Sequence, residues 1–91
     1  MYPDRDHMME QANARFGRAR SGHMKLYKVW SIVTTVADIY EGLRANGQEM
    51  PYERVHNIVH SGCELEGIDE GTCKDVTHMF CTHLNVAFPN A

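Results

Sequence analysis

The C-terminal 36 residues hold His56, His60, Cys63, Cys73, His78, Cys81 and His83, the side chains of this sequence best equipped for chemistry. On a helix His56 and His60 sit one turn apart and Cys63 follows three residues on, so all three line one side. His78 and Cys81 have the same three-residue step. Two antiparallel helices facing these groups toward each other would make a tetrahedral site for a structural zinc, its four ligands drawn from His56, His60, Cys63, His78 and Cys81. The spacing matches no Cys-x-x-Cys knuckle and no finger pattern. A helical wheel puts Cys63 and Cys73 inside apolar arcs, where a free thiol behaves as a small hydrophobe. It puts His56, His60 and His78 at the arc edges, each with one nitrogen free to meet water. Boundary histidines are therefore the main expectation, and a zinc-stabilised module is the alternative.

The same cluster is poorly suited to catalysis. A Cys–His pair needs a pocket, a third group to orient the base and donors for a developing oxyanion. A thin helical bundle offers little concavity. The sequence has no Gly-rich phosphate loop and no Ser-His-Asp arrangement, so the expectation is a protein that is not an enzyme. Cys63 and Cys73 resemble one half of a twin-cysteine helical hairpin whose second cysteine pair is absent here.

The elements that must position these groups read as helices. No run alternates with period two, and no tight hairpin turn separates β-rich segments. From Lys25 to Ala45, Leu26, Val29, Trp30, Val33, Val36, Ala37, Tyr40 and Leu43 recur at three- and four-residue steps. Asn46-Gly47 supplies the stop. Pro51 suits a helix start, and Tyr52 to Gly62 or Leu65 makes a further helix with Val55, Ile58, Val59 and Cys63 inward, ended by Gly67. Thr72 with Asp75 resembles a capping box that opens another helix, running to about Asn85 and burying Cys73, Val76, Phe80 and Leu84. Asp6 to Ala19 forms a weaker helix with Met9, Ala12, Phe16 and Ala19 on one side. Phe88 to Ala91 is a tail. The expected architecture is all-α, a small three- to four-helix bundle with a long central amphipathic helix. Residues 1–23 form a weakly ordered or helical basic segment, and residues 24–91 form the helical domain.

Ninety-one residues, 43% hydrophobic and 23% charged, make one small domain. Such a chain buries roughly 60–65% of its unfolded surface, so its core is thin and gains from a partner, a metal or a disulfide. The net charge of −3 is unevenly placed. Residues 1–23 carry four arginines against three carboxylates, net +1, and residues 24–91 carry five cations against nine carboxylates, net −4. An acidic body repels phosphate, so nucleic acid is not the expected partner. A dimeric DNA-binding regulator is the alternative, with Arg15, Arg18 and Arg20 as its arm. In that reading the helix opening Cys73-Lys74-Asp75 has few groups to read base edges. No apolar run reaches the roughly 20 residues of a membrane span. No export leader is evident and the cysteines are odd in number, so a cytoplasmic protein with reduced thiols is expected.

The central helix carries too much apolar surface. Ile32 and Ile39 widen its stripe beyond the roughly 100° of a surface helix. The helices that follow can cover one side; the N-terminal helix, a second copy or another protein must cover the rest. Tyr27, Trp30, Ile32, Val36, Ile39, Tyr40 and Leu43 are the candidate partner-binding residues. The expected protein is a homodimeric, non-enzymatic regulator. It would bind and occlude or redirect a partner protein, in the manner of small adaptors and phage-type inhibitors.

Overall fold

A helix begins where the chain can satisfy its first N–H groups, and Asp4 and Asp69 do this with their side chains. Asp4 accepts from the His7 N–H at 3.1 Å and opens α1, Arg5–Phe16. Asp69 accepts from the Thr72 N–H at 3.0 Å and opens α4, Glu70–Leu84. Thr72 is thus inside α4, not its cap. Its hydroxyl reaches back to Asp69, and Asp75 is left free for other pairings. Between these lie α2, Leu26–Ala45, and α3, Tyr52–Glu66, the latter starting directly after Pro51. The computed structural model describes residues 4–20 and 24–88; the expectations for residues 1–3, 21–23 and 89–91 lie outside them. Among the described residues all regular structure is helical.

Three of the helices end in the same way. A residue with positive φ turns the chain back, and the next N–H bonds to a carbonyl five residues earlier. Gly67, at φ 69°, lets Ile68 N–H reach Cys63 O at 2.9 Å, and the Ile68 side chain is buried under the turn. Asn85 does the same for Val86 and Cys81 O at 2.8 Å, and Gly47 for Gln48 and Leu43 O at 2.8 Å.

The four helices close a ring. α1 packs on α2 and α4, and α3 packs on the same two from the other side. The core runs through the middle, with Val33, Val36, Val55, Val59, Val76 and Phe80 fully buried. Thr77 is the one polar residue buried among the described residues, and its hydroxyl donates to Cys73 O at 2.8 Å. Ile58 is half-buried rather than inward.

The N-terminal segment is part of this core. Met8, Ala12 and Phe16 lie four residues apart, and Met8 and Phe16 are at most 1% exposed. They form the inner row in place of the Met9-centred face read from the sequence, and Met9 sits half-buried beside them. Ala19 is buried beyond the helix end. α1 therefore supplies much of the cover that α2 requires.

The cysteines also differ from expectation. Cys63 and Cys73 are joined by a disulfide between the end of α3 and the start of α4, with Cα atoms 6.4 Å apart. Only Cys81 is a free thiol, and it is buried. The expectation of three reduced cysteines fails because the tight α3–α4 turn brings two inward-facing thiols together.

Two stability outcomes follow. Phe16→Ala removes a fully buried ring and is expected to destabilise by about 3–5 kcal/mol, lowering the thermal midpoint by more than 10 °C on the usual ~4–8 °C per kcal/mol. Circular dichroism melts check this, and an unchanged midpoint would mean α1 does not hold that seat. Reduction of Cys63–Cys73 should cost about 2–3 kcal/mol, the loop entropy of a closure of this length. Melts with and without reductant test the cost. Alkylation of the freshly extracted, denatured protein tests the bond itself: one modified cysteine is expected, and three would show a reduced pair.

Candidate functional site

The exposed end of α2 is where the fold leaves apolar surface uncovered. Lys25 precedes α2 and offers no side-chain cap, and Leu26, Tyr27 and Trp30 follow within the first turns. They are 63%, 61% and 49% exposed, while Val29 and Val33, interleaved with them along the helix, are fully buried. Leu26, Tyr27 and Trp30 thus place three large apolar side chains in water within five residues. Tyr and Trp pair a broad apolar ring with a polar atom, the chemistry enriched at interface centres. The Lys28 ammonium lies 5.7 Å from the centre of the Tyr27 ring.

The seven candidate partner residues do not form one face. Tyr27 and Trp30 are exposed, but Val36 is fully buried and Ile32 nearly so, because α1 and α3 flank α2 and take the middle of its stripe. Ile39, Tyr40 and Leu43 are half-buried against the core. The Arg44 guanidinium covers the Tyr40 ring at 5.6 Å. Val36 is therefore corrected from a partner contact to a core residue of the chain itself, while Ile32, 6% exposed, keeps an outer edge in the groove between α2 and α3. Leu26, which sequence reasoning placed in the stripe, joins the exposed set.

The five candidate zinc ligands do not converge. His56 and His60 stack with ring centres 3.9 Å apart, Cys63 is held in the disulfide, and His78 packs on Phe88 at 4.7 Å. Cys81 faces the core, where burial pushes its thiol up to about 11. Among the described residues no three His, Cys, Asp or Glu side chains are grouped to hold a metal ion. The reason is rotational: Cys63 and Cys81 point into the bundle, while the histidines lie nearer its surface.

The basic arm is engaged within the chain. Arg15 Nε lies 3.2 Å and Arg18 3.9 Å from the Asp75 carboxylate, and Arg15 also donates to Gln11 at 3.2 Å. The Arg20 N–H donates to Asp69 at 3.2 Å. Arg5 pairs with Asp38 and, at 2.9 Å, with Glu41 on α2. These contacts tie α1 to α2 and α4: Arg15 and Arg18 are engaged through their side chains, and Arg20 through its backbone amide.

Two grooves went unread in the sequence. The first, of about 330 Å³, lies between α1 and α4 and is lined by His7, Gln11, Arg15, Asp75, His78 and His83. The His7 and His83 rings lie 5.4 Å apart across it. No sequence signal brings residues so far apart in the chain together. The second, of about 450 Å³, lies between α2 and α3 over Ile32, Ile58 and Gly62. Its signal was present, as a shared residue spacing on the two helices. Comparisons with family models, curated proteins and solved structures yield no match to this chain.

Burial holds the His83 and His60 imidazoles below their ordinary range, reinforced by His7 and His56 respectively. A histidine whose folded value is lowered binds its proton more readily in the unfolded chain. Its contribution is present above the unfolded value near 6.5 and is lost as pH falls below it. The thermal midpoint at about pH 5.5 should therefore lie below that at about pH 7.5, and His60→Gln with His83→Gln should flatten the difference. A midpoint that rises on acidification would contradict this assignment.

Proposed function

We propose that this chain is a small non-enzymatic regulatory protein. It would act by binding another protein and occluding or redirecting it, as an adaptor or inhibitor, and would self-associate as a homodimer. The observation that carries this reading is the exposed cluster Leu26, Tyr27 and Trp30 at the start of α2, three large apolar side chains within five residues. A dimer across this face would remove large rings from water in a domain whose own core is thin.

Other features support a binding role over chemistry. The Cys81 thiol, held at about 11, is almost wholly protonated at neutral pH and faces the core. The other two cysteines are bonded to each other. A Cys–His nucleophile therefore has no free thiolate to use. The DNA-binding alternative draws no support from Arg15 and Arg18, which face Asp75. No helix among the described residues is long and apolar enough to cross a membrane. The cytoplasmic expectation rested on the lack of an evident export leader and on the odd cysteine count, and the Cys63–Cys73 bond runs against the reduced thiols expected with it.

Sedimentation velocity of the oxidised protein tests the proposal. A dimer is expected at micromolar concentration. Trp30→Ala and Tyr27→Ala should each weaken it at least tenfold with little change in thermal midpoint, because both rings are outside the core. A wild-type monomer up to hundreds of micromolar would remove the dimer from the reading.

A further inference from the structure

The α2–α3 groove carries two matching rows of side chains. On α2 the row is Lys28, Ile32 and Thr35, continued along the helix beyond the groove lining by Ile39; on α3 it is Arg54, Ile58, Ser61 and Leu65. Both step by four, three and four residues, so each row runs along one helix side as cation, aliphatic, hydroxyl, aliphatic. The helices are joined by a short loop and run antiparallel, with Ile32 seated against Gly62, where there is no room for a Cβ. That close approach fixes the register. It places Lys28 at the Leu65 end of the groove and Arg54 at the Ile39 end. The two cations are thus about three helical turns apart, roughly 16–18 Å by helix rise.

The charge of this groove is opposite to that of the molecule. The body carries nine carboxylates against five cations, yet no carboxylate lines the groove. Among the described residues neither Lys28 nor Arg54 has an ion-pair partner, a condition they share with Arg20, Lys25, Arg44 and Lys74; what sets them apart is their place on a groove without carboxylates. The floor is aliphatic: Ile32 is buried, Ile58 is half-buried, and Leu65 is 74% exposed at one end.

We infer that this groove binds an amphipathic helix of another protein. The apolar face of that helix would lie on Ile32, Ile58 and Leu65, and carboxylates two to three turns apart on it would meet Lys28 and Arg54. An apolar floor between parallel ridges is the form that helix-in-groove recognition uses. A second copy of this chain docked groove to groove is disfavoured as the occupant, because it would set Lys28 and Arg54 against the same cations. Single-stranded nucleic acid is disfavoured because the groove has two cations and no aromatic platform. The inference rests on the protein-binding reading above and names the partner's chemistry. It assigns the partner to a different side of α2 from Leu26 and Trp30, so a dimer would leave the groove open.

The test is selection from a display library of 18-residue helical peptides with randomised outer positions, against the oxidised wild-type protein. Recovered peptides are expected to be acidic, with apolar residues at three- and four-residue steps. Their affinity should fall at least tenfold on Lys28→Glu with Arg54→Glu, weaken with added salt, and persist in Trp30→Ala. Methyl NMR should move Ile32, Ile58 and Leu65, and melts of the charge-reversed protein confirm that it is folded. Recovery of basic or neutral peptides, or of none, overturns the inference. So does binding that survives the charge reversal but is lost in Trp30→Ala; that result would uphold a protein-binding surface while moving it to the aromatic cluster.

Discussion

The structure depends on the seat of α1 between α2 and α4. Met8, Ala12 and Phe16 enter that cleft as one row, and the ring of four helices closes only because they do. The ion pairs at either end of α1 are partly exposed, and such pairs contribute from nothing to about 1 kcal/mol each. Burial of one Phe side chain is worth roughly 1.5–3 kcal/mol, so the apolar row dominates and the arginines set direction and register. Arg5 faces Asp38 and Glu41, and Arg15 faces Asp75, which is consistent with only one orientation of α1 in the cleft.

Closing the ring decides what is left for function. With α1 on one flank and α3 on the other, the middle of the α2 stripe disappears into the core. What stays outside is its first turns, Leu26, Tyr27 and Trp30, and the seam with α3. The cations divide in the same way. Arg5, Arg15 and Arg18 pair with carboxylates of neighbouring helices, while among the cations without a pair Lys28 and Arg54 lie beside an aliphatic floor. The disulfide holds α3 and α4 as one hairpin, so the α3 wall of the groove is braced from behind.

The histidines show how placement limits chemistry. His56 and His60 share a helix face, as their spacing requires, and their rings stack. The third and fourth ligands that a zinc site needs are turned away, one into a disulfide and one into the core. What remains is a set of imidazoles at the bundle boundary. The most buried of them, His60 and His83, resist protonation, and this links folding to pH without creating a reactive centre.

The helices themselves were legible in the sequence because their causes are local. The three- and four-residue steps of Val29, Val33 and Val36, the stop at Asn46-Gly47, the start after Pro51 and the end at Gly67 each act within a few residues. The four-residue matching of Lys28-Ile32 and Arg54-Ile58 was equally local, and needed only the antiparallel pairing of two helices to become a groove. Three things were decided by tertiary structure alone: the docking of α1, the joining of Cys63 to Cys73, and the division of the α2 stripe into core and surface. Helical period says which residues share a face. It does not say which face another helix will cover, because that depends on contacts between residues far apart in the chain, whose apolar surfaces compete for the same cleft.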